Sequence, residues 1–219
     1  MRRSGFHAIV PAAVILLAAG AAGAEITVSH VPSDAMLDVL VESVAFTAEG
    51  RIGDRSGAAT FELDLGPETS SPSVTSQYGW ESGRTEVFQL AYYPASGLVA
   101  FRVGAITLDY MPSGSFEELF LRARSTRSGA TLRLEDLTLD GEPIIDSVFA
   151  DGDDDGLDIL RIQGADLESG FRLAGEAILT WGEETPRNSH LAFQIKAADP
   201  AQTTSVENAS WGSVKRLFR

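Results

Sequence analysis

Val99-Ala100-Phe101-Arg102-Val103 and, three residues on, Ile106-Thr107-Leu108-Asp109-Tyr110 put an apolar side chain at every second position. An extended chain turns successive side chains to opposite faces, so such a run makes a strand with one dry and one wet side. The pattern recurs on both sides of this stretch. Phe61, Leu63 and Leu65 alternate with Glu62 and Asp64, and Leu119, Leu121 and Ala123 alternate with Phe120, Arg122 and Arg124. Phe171, Leu173, Ala177, Leu179 and Trp181 keep one parity, as do Leu191, Phe193 and Ile195. Turn pairs such as Ser96-Gly97, Ser128-Gly129, Asp140-Gly141 and Ser169-Gly170 divide the runs at hairpin spacing, too closely for the crossovers of a parallel sheet. Leu132 and Leu134 are out of phase with Leu137 and Leu139, which predicts a bulge near Glu135-Asp136. Ser33–Ser43 reads as one short helix, with Met36, Leu37, Leu40 and Val41 on its apolar side and Ser33 or Asp34 as cap. These runs predict an all-β chain, a single antiparallel β-sandwich of jelly-roll-like form, over residues 25–199.

The ends of the chain read differently. Arg2 and Arg3 precede a nearly unbroken apolar run from Ala8 to Gly20, and Ala22-Gly23-Ala24 supplies small residues before Glu25. That order is the one expected of a secretory signal peptide over residues 1–24, with an apolar run too short to span a bilayer comfortably. Removing it takes away two arginines and leaves 15 basic residues against 31 acidic ones, a net charge near −16. Such a surface repels phosphate backbones, so nucleic acid is excluded as a partner. The chain has no cysteine. An exported domain without disulfides rests on its apolar core, with or without help from a metal. Residues 200–210 read as a polar linker. Residues 211–219, WGSVKRLFR, form a short basic tail in which Trp211, Val214, Leu217 and Phe218 share one helical face. That face suits docking to a partner, or folding back onto the acidic body; a free helix of nine residues needs one surface or the other.

YGWESGRTEVFQLAYYPASGLVAFRVG, starting at Tyr78, then FEELFLRARSTRSGATLRLEDLTLDG up to Gly141, resembles the choice-of-anchor W domain of bacterial exported proteins. LDILRIQGADLESGFRLAGEAILTW, with RNSHLAFQIK after it, resembles the second half of the same domain. The resemblance runs roughly over residues 57–197. It implies a secreted or surface module without an assigned biochemical role, and it carries no active-site residues over. The usual ending of such proteins, a Pro-Glu-Pro signal with an apolar span and an arginine cluster, is replaced here by WGSVKRLFR.

Candidate sites are few. Asp151, Asp153, Asp155 and Gly156 open like a calcium loop, and Asp158 is a further carboxylate. The twelfth position is Ile162, where a calcium hand needs a bidentate Glu, so the stretch reads either as a structural calcium site or as a solvated acidic turn. Glu62, Asp64 and Glu68 resemble in outline the paired carboxylates of glycosidases, with Glu68 one position late. Ser189 and His190 adjoin, without a nucleophile elbow. Tyr78 and Trp80, with Tyr92 and Tyr93 on the next strand, supply rings for a sugar-stacking platform or for the core. The expectation is a non-enzymatic, extracytoplasmic interaction or surface-structural module facing an envelope polymer, an extracellular polymer or a protein. The alternative is a calcium-supported carbohydrate-binding module, with no cofactor other than calcium.

Overall fold

Alternating side chains hand one face of nearly every strand to a shared interior. The computed structural model describes residues 26–53, 61–68 and 72–201. One seven-stranded antiparallel sheet runs β1 (Thr27–His30), β12 (Leu157–Gln163), β8 (Glu118–Ser125), β14 (Leu191–Pro200), β2 (Val41–Arg51), β3 (Leu63–Gly66), β4 (Val74–Ser76). The other runs β10 (Glu142–Pro143), β9 (Thr131–Leu139), β13 (Phe171–Thr180), β5 (Thr85–Tyr93), β6 (Leu98–Val103), β7 (Ile106–Tyr110), with β11 (Val148–Asp151) also paired to β9. The chain passes repeatedly from one sheet to the other, so strands distant in sequence become neighbours. Phe46, Phe88, Phe101, Phe193, Leu121, Leu134, Leu173 and Ile195 meet in one continuous core. The all-β sandwich read from the alternation is the fold observed.

The bulge falls where the broken phase predicts it. Pairing of β13 with β9 slips between Ala174 and Glu176, and Asp136 takes φ +50°. This restores Leu137 and Leu139 to the interior with Leu132 and Leu134. The helix is shorter than the sequence predicts: α1 spans Asp34–Leu40, capped by the Ser33 hydroxyl accepting from the Met36 N–H. From Val41 the chain extends to pair with β14, because a β-branched start there gains a whole ladder of strand bonds.

The outer, polar-reading face of β8 is also partly apolar. Phe120, fully buried on that side, packs with Leu37, Val31 and Ile159 beneath α1. Asp34 fastens the helix there by a bidentate bond from Arg122, both contacts 2.6 Å. Among the described residues no helix is long and apolar enough to cross a membrane. Residues 1–24 and 202–219, including Trp211, Val214, Leu217 and Phe218, lie outside the described residues.

Candidate functional site

Six connections gather at one end of the sandwich: those after β2, β4, β6, β8, β11 and β13. Three of them build a cleft of about 180 Å³. The β4–β5 connection contributes Tyr78 and Trp80, the β13–β14 connection contributes Trp181, Thr185 and Pro186, and Glu62 enters just before β3. Serine ties the first two together, since the Ser82 hydroxyl donates to Trp181 O (2.7 Å) and accepts from Trp181 N–H (2.8 Å).

The aromatic walls rest on the core. Tyr78 and Trp80 meet edge-on at 4.7 Å between centroids, and Trp80 meets Phe193 at 6.1 Å and 83°. Gly50 makes room for this: a Cβ there would strike the Phe193 ring and stand 3.2 Å from Trp80 Cζ2. The Tyr78 hydroxyl bonds to Glu86, a buried carboxylate also paired with Arg84 at 3.0 Å. Burial, then this bond, pushes the Tyr78 phenol well above its ordinary range.

Two polar groups in the cleft walls are less completely matched. Trp80 Nε1 is buried with no hydrogen-bond partner among the described residues. The Glu62 carboxylate accepts from the Gly53 N–H at 2.8 Å. Burial raises the Glu62 pKa, against the opposing pull of that N–H and of Arg51. Arg51 itself is turned away, stacked 4.0 Å over the Phe61 ring and donating to Ser189 Oγ at 3.3 Å. Among the described residues no Lys, Arg or His lines this cleft. Beside it, sharing Thr185, a polar hollow is bordered by Arg127, Glu184, Arg187 and His190. Ser189 and His190 do not act as a pair: Ser189 faces Arg51, and His190 Nδ1 lies 2.6 Å from the Thr126 hydroxyl.

The acidic turn stands at the same end, and Asp151, Asp153, Asp155 and Asp158 already meet partners within the chain. Asp151 accepts from the Asp153 N–H (3.0 Å), and Asp153 from the Ser128 hydroxyl and the Gly129 N–H (3.0 Å). Asp155 accepts from the Leu157 N–H (3.3 Å). Asp158 accepts from the Phe149 N–H (2.8 Å) and meets His30 Nδ1 (2.7 Å), whose Nε2 meets Asp146 (3.2 Å). Among the described residues no three His, Asp or Glu side chains are grouped so as to hold a metal.

The four candidate ring residues divide. Tyr78 and Trp80 stand at the cleft, whereas Tyr92 and Tyr93 close the opposite end of β5, roughly 25 Å away at strand rise. There Tyr92 packs on Phe116 at 5.1 Å, and Tyr93 is 43% exposed. The acids of the β3 region divide too. Glu62 lines the cleft, Asp64 accepts from Ser73, and Glu68 pairs with Lys196 beside α1. Parity along the strand assigns Trp181 to the core, and sequence alone leaves Glu62 apart from the rings. The usable signal is position: Tyr78, Trp80 and Trp181 all flank a glycine, Gly79 or Gly182, just outside a strand. No protein-family model matches this chain, and a search of curated proteins finds no match to it.

Proposed function

We propose that this chain is a non-enzymatic binding domain of the extracytoplasmic space, secreted or held at the cell surface, with the loop end of the sandwich as its ligand face. The observation that carries this reading is the Tyr78–Trp80–Trp181 cleft, half-buried aromatic surface held open on a rigid core. Rings left partly uncovered beside fixed polar groups are the usual anatomy of a recognition site, and loops on a sheet scaffold are where such sites are built. The signal-like N-terminus, the acidic surface and the resemblance to choice-of-anchor W domains all suit a partner in the envelope or an extracellular polymer. Ser189 and His190, the pair nearest to a nucleophile and base, are each engaged elsewhere, which favours binding over catalysis.

The test is retention of the purified chain on insoluble polysaccharides and cell envelopes, compared with its Trp181→Ala variant. Retention by the parent on at least one material, lost in the variant at unchanged melting temperature, is the expected result. Equal behaviour of the two proteins on every material would sink the reading and favour a purely structural module.

A further inference from the structure

We infer that the cleft at the loop end takes an organic ammonium group, either a small quaternary amine or the amine of a larger molecule. The inference rests on the binding reading above and assigns a ligand class to the same site. Three aromatic residues, Tyr78, Trp80 and Trp181, line the cleft together with the Glu62 carboxylate. A cation placed against ring faces is drawn by their quadrupoles, and aromatic cages with one nearby carboxylate are how alkylammonium groups are recognised.

The hydrogen-bonding inventory argues against a neutral sugar ring. A pyranose presents several hydroxyls that each need a donor or an acceptor. Here the Tyr78 hydroxyl is committed to Glu86, and Trp80 Nε1 is itself shut away from solvent. Glu62, the Thr185 hydroxyl and the Trp181 indole N–H are the side-chain polar groups that remain, too few for the hydroxyls of a pyranose. A quaternary ammonium asks for no hydrogen bond at all. It asks for ring surface and a counter-charge, and the cleft supplies both.

Size and charge agree. About 180 Å³ is smaller than the 300 Å³ or so at which drug-sized pockets begin, and it suits a compact headgroup. Among the described residues no basic side chain lines the cleft, and Arg51, the nearest one to bear on Glu62, is turned to Phe61 and Ser189. A chain with net charge −14 concentrates cations at its surface and repels anions.

The experiment titrates the full chain with choline chloride at fixed ionic strength, following tryptophan fluorescence and the Trp80 Nε1–H resonance. The uncharged isostere 3,3-dimethyl-1-butanol is run in parallel. Choline is expected to saturate the response in roughly the millimolar range and the isostere to bind about tenfold more weakly, the order of one desolvated cation–π contact. Glu62→Gln, which keeps the shape of the side chain, is expected to weaken choline several-fold and leave the isostere unmoved. Trp181→Ala is expected to abolish saturation. Melting curves confirm that each variant is folded. Equal affinity for choline and isostere, saturation by methyl glucoside in place of choline, or no saturation by choline would each overturn the assignment. Retention on a panel polymer that choline does not compete for would overturn the ammonium assignment while leaving the binding reading intact. Retention on chitosan, but not on its N-acetylated parent chitin, would place the amine on a polymer; choline saturation without either would place it on a small molecule.

Discussion

The acidic turn at Asp151–Asp158 and the aromatic cleft at Tyr78, Trp80 and Trp181 stand at the same end of the sandwich and are finished in opposite ways. In the turn every named carboxylate meets a partner, most of them a few residues away or on the adjoining turn at Ser128-Gly129. In the cleft the rings are only half covered, Trp80 Nε1 lacks a partner among the described residues, and Glu62 sits where burial disfavours its charge. Density of one residue type along the chain therefore marks a region whose named carboxylates already have partners. Groups brought together from three separate connections mark the region with capacity to spare.

That contrast can be broken at several points. Phe193→Ala would have the largest effect. Its ring is fully buried and touches Phe88, Phe101 and Trp80, so its loss should cost about 3–5 kcal/mol in urea unfolding and slacken the cleft as well. A loss under about 1 kcal/mol would mean that the cleft does not rest on the core. Gly156→Ala comes next and strikes the turn alone. Gly156 holds φ +68°, and a Cβ there would collide with Ser125 O. About 1–3 kcal/mol of strain is expected, with choline binding unchanged once the protein is folded.

Whether a metal supports the turn is the next point. Because Asp151, Asp153, Asp155 and Asp158 already accept bonds from the chain itself, a chelator should leave the melting temperature where it is, and a fall of several degrees would show that a cation completes the loop. Asp153→Ala should lower stability at neutral pH, since the bonds from Ser128 and Gly129 hold the Asp153 carboxyl below its ordinary pKa. A lowered folded pKa gives stability that is present above the unfolded value and lost as pH falls through the folded one. The difference between parent and variant should accordingly shrink in acid.

His30→Gln should be the smallest effect and carry the opposite sign with pH. Burial lowers the His30 pKa, but hydrogen bonds and charge from Asp158 and Asp146 outweigh it and the net shift is upward. A neutral imidazole has one N–H and can donate to only one of the two carboxylates; the imidazolium serves both. The stabilisation is thus complete below the ordinary value of 6.5 and lost as pH rises through the raised one. His30 is largely exposed, so after solvent screening about 0.5 kcal/mol is the most to expect. Melting curves of parent and variant should separate in mild acid and converge in alkali.

Much of the fold is legible in the sequence because alternation is a local signal. The runs at 99–110, 171–179 and 191–195 turn inward as the pattern predicts, and the phase break at Glu135-Asp136 is a bulge. Less legible are the places where a third layer intervenes. Phe120 reads as a stray apolar residue on a wet face, yet α1 covers it; Val41 reads as helical, yet β14 lies beside it. The candidate site is only half legible. Tyr78 and Trp80 stand out in the sequence, but the tyrosines grouped with them, Tyr92 and Tyr93, lie at the far end of β5, and the ring that completes the cleft is Trp181, about a hundred residues on.

The sequence by itself determined the period-two burial, the turns that divide it, the acidic surface and the absence of disulfides, because each depends on neighbours within a few positions or on composition alone. Only the tertiary structure decided which loops share an end, that Glu62 joins the rings of Tyr78, Trp80 and Trp181, and that Asp151, Asp153, Asp155 and Asp158 already meet partners. Those outcomes depend on strand order across two sheets, and strand order is set by the packing of the whole core, in which residues far apart in the chain compete for the same contacts.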